Sequence, residues 1–356
     1  MLSNYVGLIK LYQITGDKKF LKATELAWQD VVTNQLYITG TSSSHEYFQE
    51  DKYLPAGIKD NMGEGCVTTT WVQLNQNLFE TTGDIKYLNE LEKTVYNHLL
   101  AAENPQTGCV SYYTPLMGKK PYTCHITCCQ SSVPRGIALV PKFTFGNIEK
   151  IPTVLFYEPA FYKEKIITSD KRSIDVTFNL EGNFPESGNL VLTVTCSKSG
   201  AFPISLRVPD WCNNYTAQVG DSIYKGSPNQ FLTITRKWKS SEKVMIRFDM
   251  PATTIPGGKN YPNLYAFQRG PQVLAFDESL NSVGANSLIS NSKEGVSISP
   301  LSLANESGIL PANWVGKQAY SVKLLNSNEK IVLVPFAEAS QAGGEMRVWL
   351  PVKIKN

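Results

Sequence analysis

TGDIKYLNELEKTVYNHLL, residues 82–100, repeats the pattern of an earlier stretch, TGDKKFLKATELAWQDVV, residues 15–32. Each stretch places Gly-Asp between two amphipathic segments. Gly16 and Gly83 can adopt the left-handed conformation that ends a helix, and Asp17 and Asp84 can cap the helix that follows. Both stretches therefore predict a helix, a tight turn and a second helix.

Apolar residues recur at helical spacing after each turn, which predicts that the second helix buries one face. They are Phe20, Ala23, Ala27 and Val31 in the first stretch, and Tyr87, Leu91, Val95 and Leu99 in the second. A repeated helical hairpin is typical of a solenoid or a closed α/α toroid, in which each unit covers the apolar face of the next. The alternative is a chance match of common capping signals.

The pattern changes to short alternating or β-branched segments near residue 145. Such segments, bounded by Gly, Pro, Asn or Ser, are typical of an antiparallel sandwich. The clearest are IDVTFNL (174–180), NLVLTVTC (189–196), PISLRV (203–208), QFLTITRKW (230–238) and KVMIRFDM (243–250). The sequence thus predicts a multidomain protein, α first and then β, with a helical domain over 1–144, a β-sandwich over 145–256 and a further β-rich region over 257–356. A long loop is expected within 278–318.

Composition describes an ordinary soluble globular chain of 356 residues, 42% hydrophobic and 18% charged, with a formal net charge of +3. Because Lys and Arg form no long run, the sequence has no basic patch that would indicate nucleic-acid binding. No apolar run approaches the roughly 18 residues of a membrane-spanning helix, so no membrane partner is expected. The opening stretch predicts an amphipathic helix rather than a signal peptide. Localisation stays open, since a targeting signal would precede Met1.

Cysteines concentrate in CHITCCQSS, residues 124–132. The adjacent thiols of Cys128 and Cys129 can hardly bridge each other, because a disulfide needs a larger Cα separation than neighbouring residues usually have. An odd number of cysteines at irregular spacing does not indicate a disulfide framework. Together with Glu64 and Cys66, the pair would make a set of one carboxylate and three thiolates, which suits Zn²⁺. The alternative is that these cysteines are small buried hydrophobes.

Five separated motifs occur in a recognisable order along the chain: SSSHEYFQEDKYLP (42–55), the long stretch that begins GEGCVTTTW (63–118), ITCCQSSVPRGIALVP (126–141), SLRVPDW (205–211) and AFQRGPQVLA (266–275). Together they resemble the β-L-arabinofuranosidase family, glycoside hydrolase family 127. The resemblance implies an (α/α)6 barrel followed by β-sandwich domains. It also implies hydrolysis of β-L-arabinofuranosides or related plant-polysaccharide sugars with retention of configuration.

The resemblance also implies the roles of particular residues. Glu64, Cys66, Cys128 and Cys129 match the zinc ligands, and Cys128 matches the nucleophile. Glu46 matches the acid/base if two extra residues are allowed between Pro55 and Glu64. Without that gap the position falls on Phe48, which cannot transfer protons.

Three further residues are expected at the sugar. Tyr112 or Tyr113 lies where the family has a substrate-contacting tyrosine, and the choice between them is open because the surrounding motif is changed here. His45 is expected to contact the sugar, or else to satisfy a loop backbone. The remaining cysteines and His125 have no assigned role: Cys109 and Cys124 are expected to be unpaired thiols, His125 an outer or surface residue, and Cys196 and Cys212 core or surface residues.

An (α/α)6 barrel needs about twelve helices, and residues 1–144 account for five or six, the C-terminal half. A missing N-terminal segment is therefore expected to complete the barrel and its pocket, and the chain alone is expected to lack part of that pocket. Two other classes fit the same residues. One is a non-catalytic, zinc-stabilised carbohydrate-binding protein, and the other is a structural module with inert cysteines.

Overall fold

The structure, a computed structural model, describes residues 1–287, 289–291, 298–301, 314–316, 318–324 and 329–354. About half of the loop expected within 278–318 lies outside these residues. Its described part begins with a 3₁₀ turn, Glu278–Leu280, and includes two short strands.

The described residues contain five α-helices, all in the first 137 positions. They are α1 (Leu2–Thr15), α2 (Lys18–Asp30), α3 (Gly65–Thr82), α4 (Ile85–Thr94) and α5 (Cys128–Ile137). π-helical turns, Val31–Gln35 and Val95–Leu99, extend α2 and α4, and 3₁₀ turns occur at Ile58–Asp60 and Val140–Phe143. The helical first part of the chain is confirmed.

Both predicted hairpin turns have the expected capping. Gly16 and Gly83 each adopt a φ of 70°, in the left-handed region. The side chain of Asp17 accepts the N–H of Lys19, and that of Asp84 accepts the N–H of Lys86, each at 3.1 Å. Local sequence alone therefore fixes these two turns.

The buried face agrees with prediction in one hairpin and only in part in the other. Tyr87, Leu91, Val95 and Leu99 are all buried. In the first hairpin Val31 is buried as predicted, and Phe20 and Ala27 are half-buried. Ala23 is exposed, however, and the buried side chains of α2 are Thr24 and Trp28. Trp28 stacks on Trp71 with ring centroids 6.3 Å apart and donates to Asn75 at 2.7 Å. These contacts with α3 place the side of α2 that carries Trp28 in the interior.

One compact unit comprises residues 139–251 together with 83–89. It holds β4 to β13 in two sheets, of six strands (β11-β10-β13-β8-β7-β6) and four strands (β12-β9-β5-β4). Phe145 on β4 stacks on Tyr162 of β6 at 5.5 Å and contacts Phe178 of β7 at 6.2 Å, so side chains of both sheets share one core. The strands are β4 (Phe145–Ile148), β5 (Ile151–Val154), β6 (Ala160–Ile167), β7 (Ser173–Gly182), β8 (Asn189–Cys196), β9 (Gly200–Val208), β10 (Tyr215–Val219), β11 (Ser222–Gly226), β12 (Gln230–Trp238) and β13 (Ser241–Phe248).

The other compact unit joins the helical residues 1–82 and 90–138 to the C-terminal residues 252–356. It holds a two-stranded sheet, β1 with β3, and one larger, mostly antiparallel sheet that includes β2. The strands are β1 (Val110–Ser111), β2 (Met117–Gly118), β3 (Tyr122–Thr123), β14 (Ala252–Pro256), β15 (Leu264–Arg269), β16 (Gln272–Asp277), β17 (Ile289–Asn291), β18 (Ile298–Leu301), β19 (Ala319–Lys323), β20 (Lys330–Pro335), β21 (Met346–Arg347) and β22 (Leu350–Ile354).

A shared core holds this unit together. Met62 and Leu116 from the helical part pack in one hydrophobic cluster with Val334 and Phe336 from the C-terminal part. Asn97 donates to the carbonyl of Pro271 at 2.8 Å and accepts the N–H of Val273 at 2.7 Å. Each compact unit thus combines segments that are separate in sequence. The three-part division at 144 and 256 stays a prediction. In the described part of the chain, no helix has the length and apolar character needed to cross a membrane.

Candidate active site

The two adjacent thiols lie at the start of α5. Thr127 caps this helix, because its side chain accepts the N–H of Gln130 at 3.2 Å. The helix therefore begins at Cys128, and its N-terminal partial positive charge lies beside both thiols. Cys128 is exposed and Cys129 is buried, so neighbouring residues present their sulfurs to different surroundings.

Glu64 and Cys66 reach the same place from α3. Glu64 pairs with Tyr113 in an isolated antiparallel bridge, and Gly65 donates its N–H to the carbonyl of Tyr112 at 3.0 Å. A Cβ atom on Gly65 would lie 3.2 Å from the Cβ of Cys129 and 2.7 Å from a methyl of Val133. Glycine is thus needed at position 65 for α3 to approach α5 closely.

The four predicted ligands converge: one donor atom from each of Glu64, Cys66, Cys128 and Cys129 lies within 4.8 Å of the other three. The Cys129 sulfur is 3.7 Å from that of Cys66 and 4.0 Å from that of Cys128. Both thiols of the adjacent pair are 4.0 Å from Oε1 of Glu64.

These spacings fit a tetrahedral metal. Bonds of about 2.3 Å to sulfur and about 2.0 Å to oxygen imply sulfur–sulfur edges of about 3.8 Å and sulfur–oxygen edges of about 3.5 Å. The donor atoms lie no more than 4.8 Å from one another, so a contraction of the cluster would reach these edges. A set of three thiols and one carboxylate, partly buried, could therefore hold a metal ion, and its chemistry suits a thiophilic divalent cation.

The cluster also has the electrostatics of a metal site. Burial raises the pKa of the Glu64 carboxyl to about 7, and the negative charge of Cys66 adds to that shift. A hydrogen bond from Cys129 lowers the pKa of the Cys66 thiol to about 5, and the same hydrogen bond raises the pKa of Cys129. The hydrogen bond thus favours the thiolate form of Cys66, the form that binds metals.

Glu46 lies beside the cluster and is joined to it by a tyrosine. The hydroxyls of Tyr112 and Tyr113 both donate to Oε1 of Glu46 at 2.9 Å. Tyr112 is also 3.4 Å from the sulfur of Cys128, so one hydroxyl group contacts both the carboxylate and the thiol. That sulfur is the largest cause of the raised pKa of Tyr112. At Tyr113, burial is the largest cause of the raised pKa.

The loop that carries Glu46 has an unusual backbone. Ser43, His45 and Glu46 have φ values of 73°, 52° and 66°, a region that residues other than glycine seldom adopt. The N–H of His45 donates to the carbonyl of Asn61 at 3.0 Å, and the side chain of Gln49 donates to the carbonyl of Ser44 at 2.8 Å. Strained backbone braced in this way is common at functional sites.

His45 itself is exposed, and its ring nitrogen lies 3.0 Å from the Ser44 hydroxyl. This contact is with a side chain and not with the loop backbone, so both roles considered above, a contact with the backbone and a contact with sugar, stay predictions. His125 is exposed, in line with a surface position, and Cys196 and Cys212 are buried.

One expectation is wrong. Cys109 and Cys124, expected to be unpaired thiols, form a disulfide across 15 positions of sequence. Residue spacing did not reveal it, because β1 and β3 pair antiparallel between the two cysteines and bring them together. The disulfide anchors Cys124, and residues 124–127 lead directly into Cys128.

Sequence reasoning also missed two residues next to the cluster. His98 is fully buried, with one ring nitrogen 2.9 Å from the Thr39 hydroxyl and the other 3.1 Å from the carbonyl of Gly63, the residue before Glu64. Burial lowers the pKa of His98 to about 3, so the ring is neutral. Ser132 lies 3.2 Å from the sulfur of Cys66. Ser132 follows Cys128 by one helical turn, which a prediction of α5 would have shown.

The sequence matches two family models and one characterised protein. Residues 2–142 match the family model for the GH127 catalytic domain of β-L-arabinofuranosidase, and residues 159–250 match the model for the GH127 middle domain. A non-reducing end β-L-arabinofuranosidase from Bifidobacterium longum subsp. longum is 23% identical over 300 residues, which cover 76% of this chain and 44% of that protein. The chain thus spans less than half the length of this curated relative.

Solved structures show the same fold. A GH127 β-L-arabinofuranosidase from Geobacillus stearothermophilus T6 superposes with a TM-score of 0.81 at 22% identity, covering 99% of this chain and 60% of that one. A GH127 β-arabinofuranosidase superposes with a TM-score of 0.82 at 25% identity, covering 99% of this chain and 59% of that one. With both domain models matched in order along most of its length, the chain belongs to the GH127 β-L-arabinofuranosidase family.

Proposed function

We propose that this chain carries the catalytic centre of a retaining glycoside hydrolase that acts on β-L-arabinofuranosides or related plant-polysaccharide sugars. The observation that supports this most is the bridge from Glu46 through the Tyr112 hydroxyl to Cys128. The two contacts, of 2.9 Å and 3.4 Å, keep the Glu46 oxygen and the Cys128 sulfur no more than about 6.3 Å apart, which supports a retaining double displacement. Because the chain covers less than two thirds of its relatives, the activity of the whole protein is part of the proposal.

In the first step, the Cys128 thiolate attacks the anomeric carbon as the bond to the leaving oxygen breaks. Glu46, as a carboxylic acid, donates its proton to that oxygen, and a covalent glycosyl–cysteine remains. Tyr112 and Tyr113 hold the Glu46 carboxyl in place for this transfer through their hydrogen bonds to Oε1.

In the second step, Glu46 acts as a base. Its carboxylate takes a proton from water, the water oxygen attacks the anomeric carbon from the vacated face, and the carbon–sulfur bond breaks. Two inversions give net retention. The thiolate of Cys128 and the protonated Glu46 are then restored.

Glu64, Cys66, Cys128 and Cys129 are the residues that would hold Zn²⁺. Bound there, the cation would keep the Cys128 thiol ionised, because cysteine coordinates a metal as the thiolate. Burial of Cys129 and exposure of Cys128 support a division in which Cys129 serves as a ligand and Cys128 reaches the sugar. His45 is proposed as a further sugar contact.

The architecture that goes with this function is a partial (α/α)6 barrel formed by residues 1–144, with a β-sandwich over 145–256 and a further β-rich region over 257–356. The capped hairpins around Gly16 and Gly83 support the barrel, since each is one helical pair of such a ring. A further segment that completes the barrel belongs to this proposal.

The test is hydrolysis of 4-nitrophenyl β-L-arabinofuranoside by the zinc-loaded protein, with NMR of the first sugar anomer released. Retention is expected, together with loss of turnover in Cys128→Ser and Glu46→Gln and unchanged turnover in the exposed control His125→Ala. An inverted product, or full activity in Cys128→Ser, would refute the mechanism. Stoichiometric zinc without any hydrolysis would favour the non-catalytic, zinc-stabilised carbohydrate-binding protein instead.

A further inference from the structure

A serine and an arginine on α5 form a chain of contacts that ends at the sulfur of Cys66. The Ser132 hydroxyl oxygen is 3.2 Å from that sulfur, and an Nη2 of Arg135 donates to the same oxygen at 3.3 Å. Ser132 is only 6% exposed, whereas Arg135 is exposed. The contacts thus run from solvent, through the arginine and the serine, to one of the candidate metal ligands.

Packing between α3 and α5 fixes the serine in this place. The hydroxyl of Thr69 on α3 donates to the backbone carbonyl of Ser132 at 3.0 Å. One turn further on, a Cβ atom on Gly136 would lie 2.9 Å from the Thr69 hydroxyl, so the two helices are in close contact there too. The backbone of Ser132 is therefore held against α3, the helix that carries Cys66.

The direction of the hydrogen bonds follows from the donors. Arg135 can only donate, so the Ser132 oxygen accepts from it and keeps its own hydrogen free. A metal-bound cysteine is a thiolate and can only accept. With a metal in place, the serine hydroxyl therefore donates to the sulfur of Cys66.

The contact would help to offset excess negative charge at the metal site. Three thiolates and one carboxylate carry more negative charge than a divalent cation neutralises, and the excess must be offset by surrounding donors. Groups that hydrogen-bond to metal ligands orient them and tune the metal, and they matter almost as much as the ligands themselves. Ser132 supplies such a donor, and Arg135 adds a positive charge behind it.

We propose that Ser132 and Arg135 are positioning residues of the metal centre, which hold the Cys66 thiolate and raise the affinity of the site for a thiophilic divalent cation. The inference rests on the proposed metal site. It adds a determinant of metal binding that contacts Cys66, distinct from the Tyr112 hydroxyl, which contacts Cys128. Removing this determinant should weaken metal binding first and turnover only as a consequence.

The neighbouring serine provides a matched control. Ser131 is exposed, and its hydroxyl donates to the backbone carbonyl of Cys128 at 3.0 Å rather than to a sulfur. Ser131→Ala therefore removes the same atom from the same helix without touching the proposed contact.

The experiment measures zinc affinity by competition with a chromophoric chelator, and the sulfur-to-metal charge-transfer spectrum with Co²⁺, on the whole chain. Ser132→Ala is expected to weaken zinc binding about 10- to 100-fold and to shift the charge-transfer band. Arg135→Gln should give a smaller loss, and Arg135→Lys, which keeps a cationic donor, should recover part of it. Ser131→Ala should match the wild type in both readouts.

The outcomes separate this inference from the proposed function. Failure of the wild type to bind either metal would overturn the metal site and the inference together. Normal metal binding by the wild type, with unchanged affinity and spectrum in Ser132→Ala and Arg135→Gln, would overturn the inference alone. Arg135→Gln changes an exposed side chain, so the test remains decisive even if Ser132→Ala fails to fold.

Discussion

Cys128 and Cys129 are adjacent in sequence but differ in exposure, and this difference supports different roles. Cys128→Ser should abolish turnover, because a serine hydroxyl is not ionised and cannot replace the thiolate nucleophile. Cys129→Ser should mainly weaken zinc binding, by about 10-fold or more, and its activity should partly recover when zinc is added. Steady-state rates across a zinc titration measure both effects.

Equal losses that zinc does not rescue in either variant would contradict this division of roles. Cys196→Ser is a suitable control for the loss of a cysteine, because Cys196 is buried and free on β8, in the other compact unit. It should leave the zinc dependence unchanged.

Tyr112 and Tyr113 form a second pair whose members differ. Both donate to Glu46, but only Tyr112 contacts Cys128. Loss of a hydrogen bond to an ionised group costs about 1.5–3 kcal/mol, so Tyr112→Phe should lower kcat by about 10- to 100-fold. Tyr113→Phe should lower it less, because Tyr112 still holds Glu46. A larger loss in Tyr113→Phe would reverse the assignment.

At the residue scale, the sequence predicted the metal cluster better than its surroundings. An adjacent pair of thiols that can hardly bridge each other indicated either a metal site or buried core cysteines, and Glu64 and Cys66 completed a candidate ligand set. Sequence could not distinguish Tyr112 from Tyr113, since neighbouring residues on an extended segment differ only in the direction of their side chains. Ser132 was missed because its role depends on the helical turn that starts at Cys128.

At the element scale, the disulfide between Cys109 and Cys124 holds the segment that leads into α5. Closing a loop of about 15 residues stabilises a fold by roughly 3 kcal/mol. The double variant Cys109→Ser/Cys124→Ser should therefore lose about 2–4 kcal/mol of unfolding free energy in urea, and reduced wild type should match it. An unchanged unfolding midpoint in both would show that strand pairing alone holds the segment.

Lys120, between β2 and β3, contributes pH dependence. Its ammonium group is buried and donates to the carbonyls of Phe336 at 2.6 Å and Ala337 at 3.3 Å. Burial lowers the pKa of Lys120 to about 7, far below the 10.5 of an exposed lysine. Between these values the unfolded chain binds more protons than the folded chain, so the contribution of Lys120 to stability rises with pH.

The measurement is the unfolding free energy of wild type minus that of Lys120→Met at several pH values. The difference should increase by about 1.4 kcal/mol for each pH unit from 7 toward 10 and be flat below 7. Lys119→Met is the adjacent control, and its difference from wild type should be constant over the same range. A flat difference for Lys120→Met would mean that Lys120 keeps an ordinary pKa.

Elements with local signals were predictable, and those decided by neighbours were not. The turns at Gly16 and Gly83 follow from one glycine and one capping aspartate each, and strands such as β8 and β12 follow from alternation alone. The buried face of α2 depends instead on the stacking of Trp28 against Trp71. No pattern within the helix specifies that contact.

At the scale of the whole molecule, chain order predicted the succession of helices and strands but not the grouping of the C-terminal strands with the helices. That grouping rests on contacts between distant residues, such as Asn97 with Pro271 and Val273. Pairing over such sequence distances leaves no periodic signal. The change from helical to strand-like patterns near residue 145 was predictable, because it reflects the local propensities of the residues for helix and for strand.

The central claim is that Cys128 is the nucleophile of a retaining glycosidase. The most direct test is peptide mapping by mass spectrometry of zinc-loaded Glu46→Gln after incubation with 4-nitrophenyl β-L-arabinofuranoside. Nitrophenolate leaves without protonation, so the first step proceeds, while the second step is slowed because its base is missing. A pentosyl group is expected on the peptide that contains Cys128, at Cys128 itself. A pentosyl group on another residue, or release of free sugar with no modified peptide at any time, would contradict it.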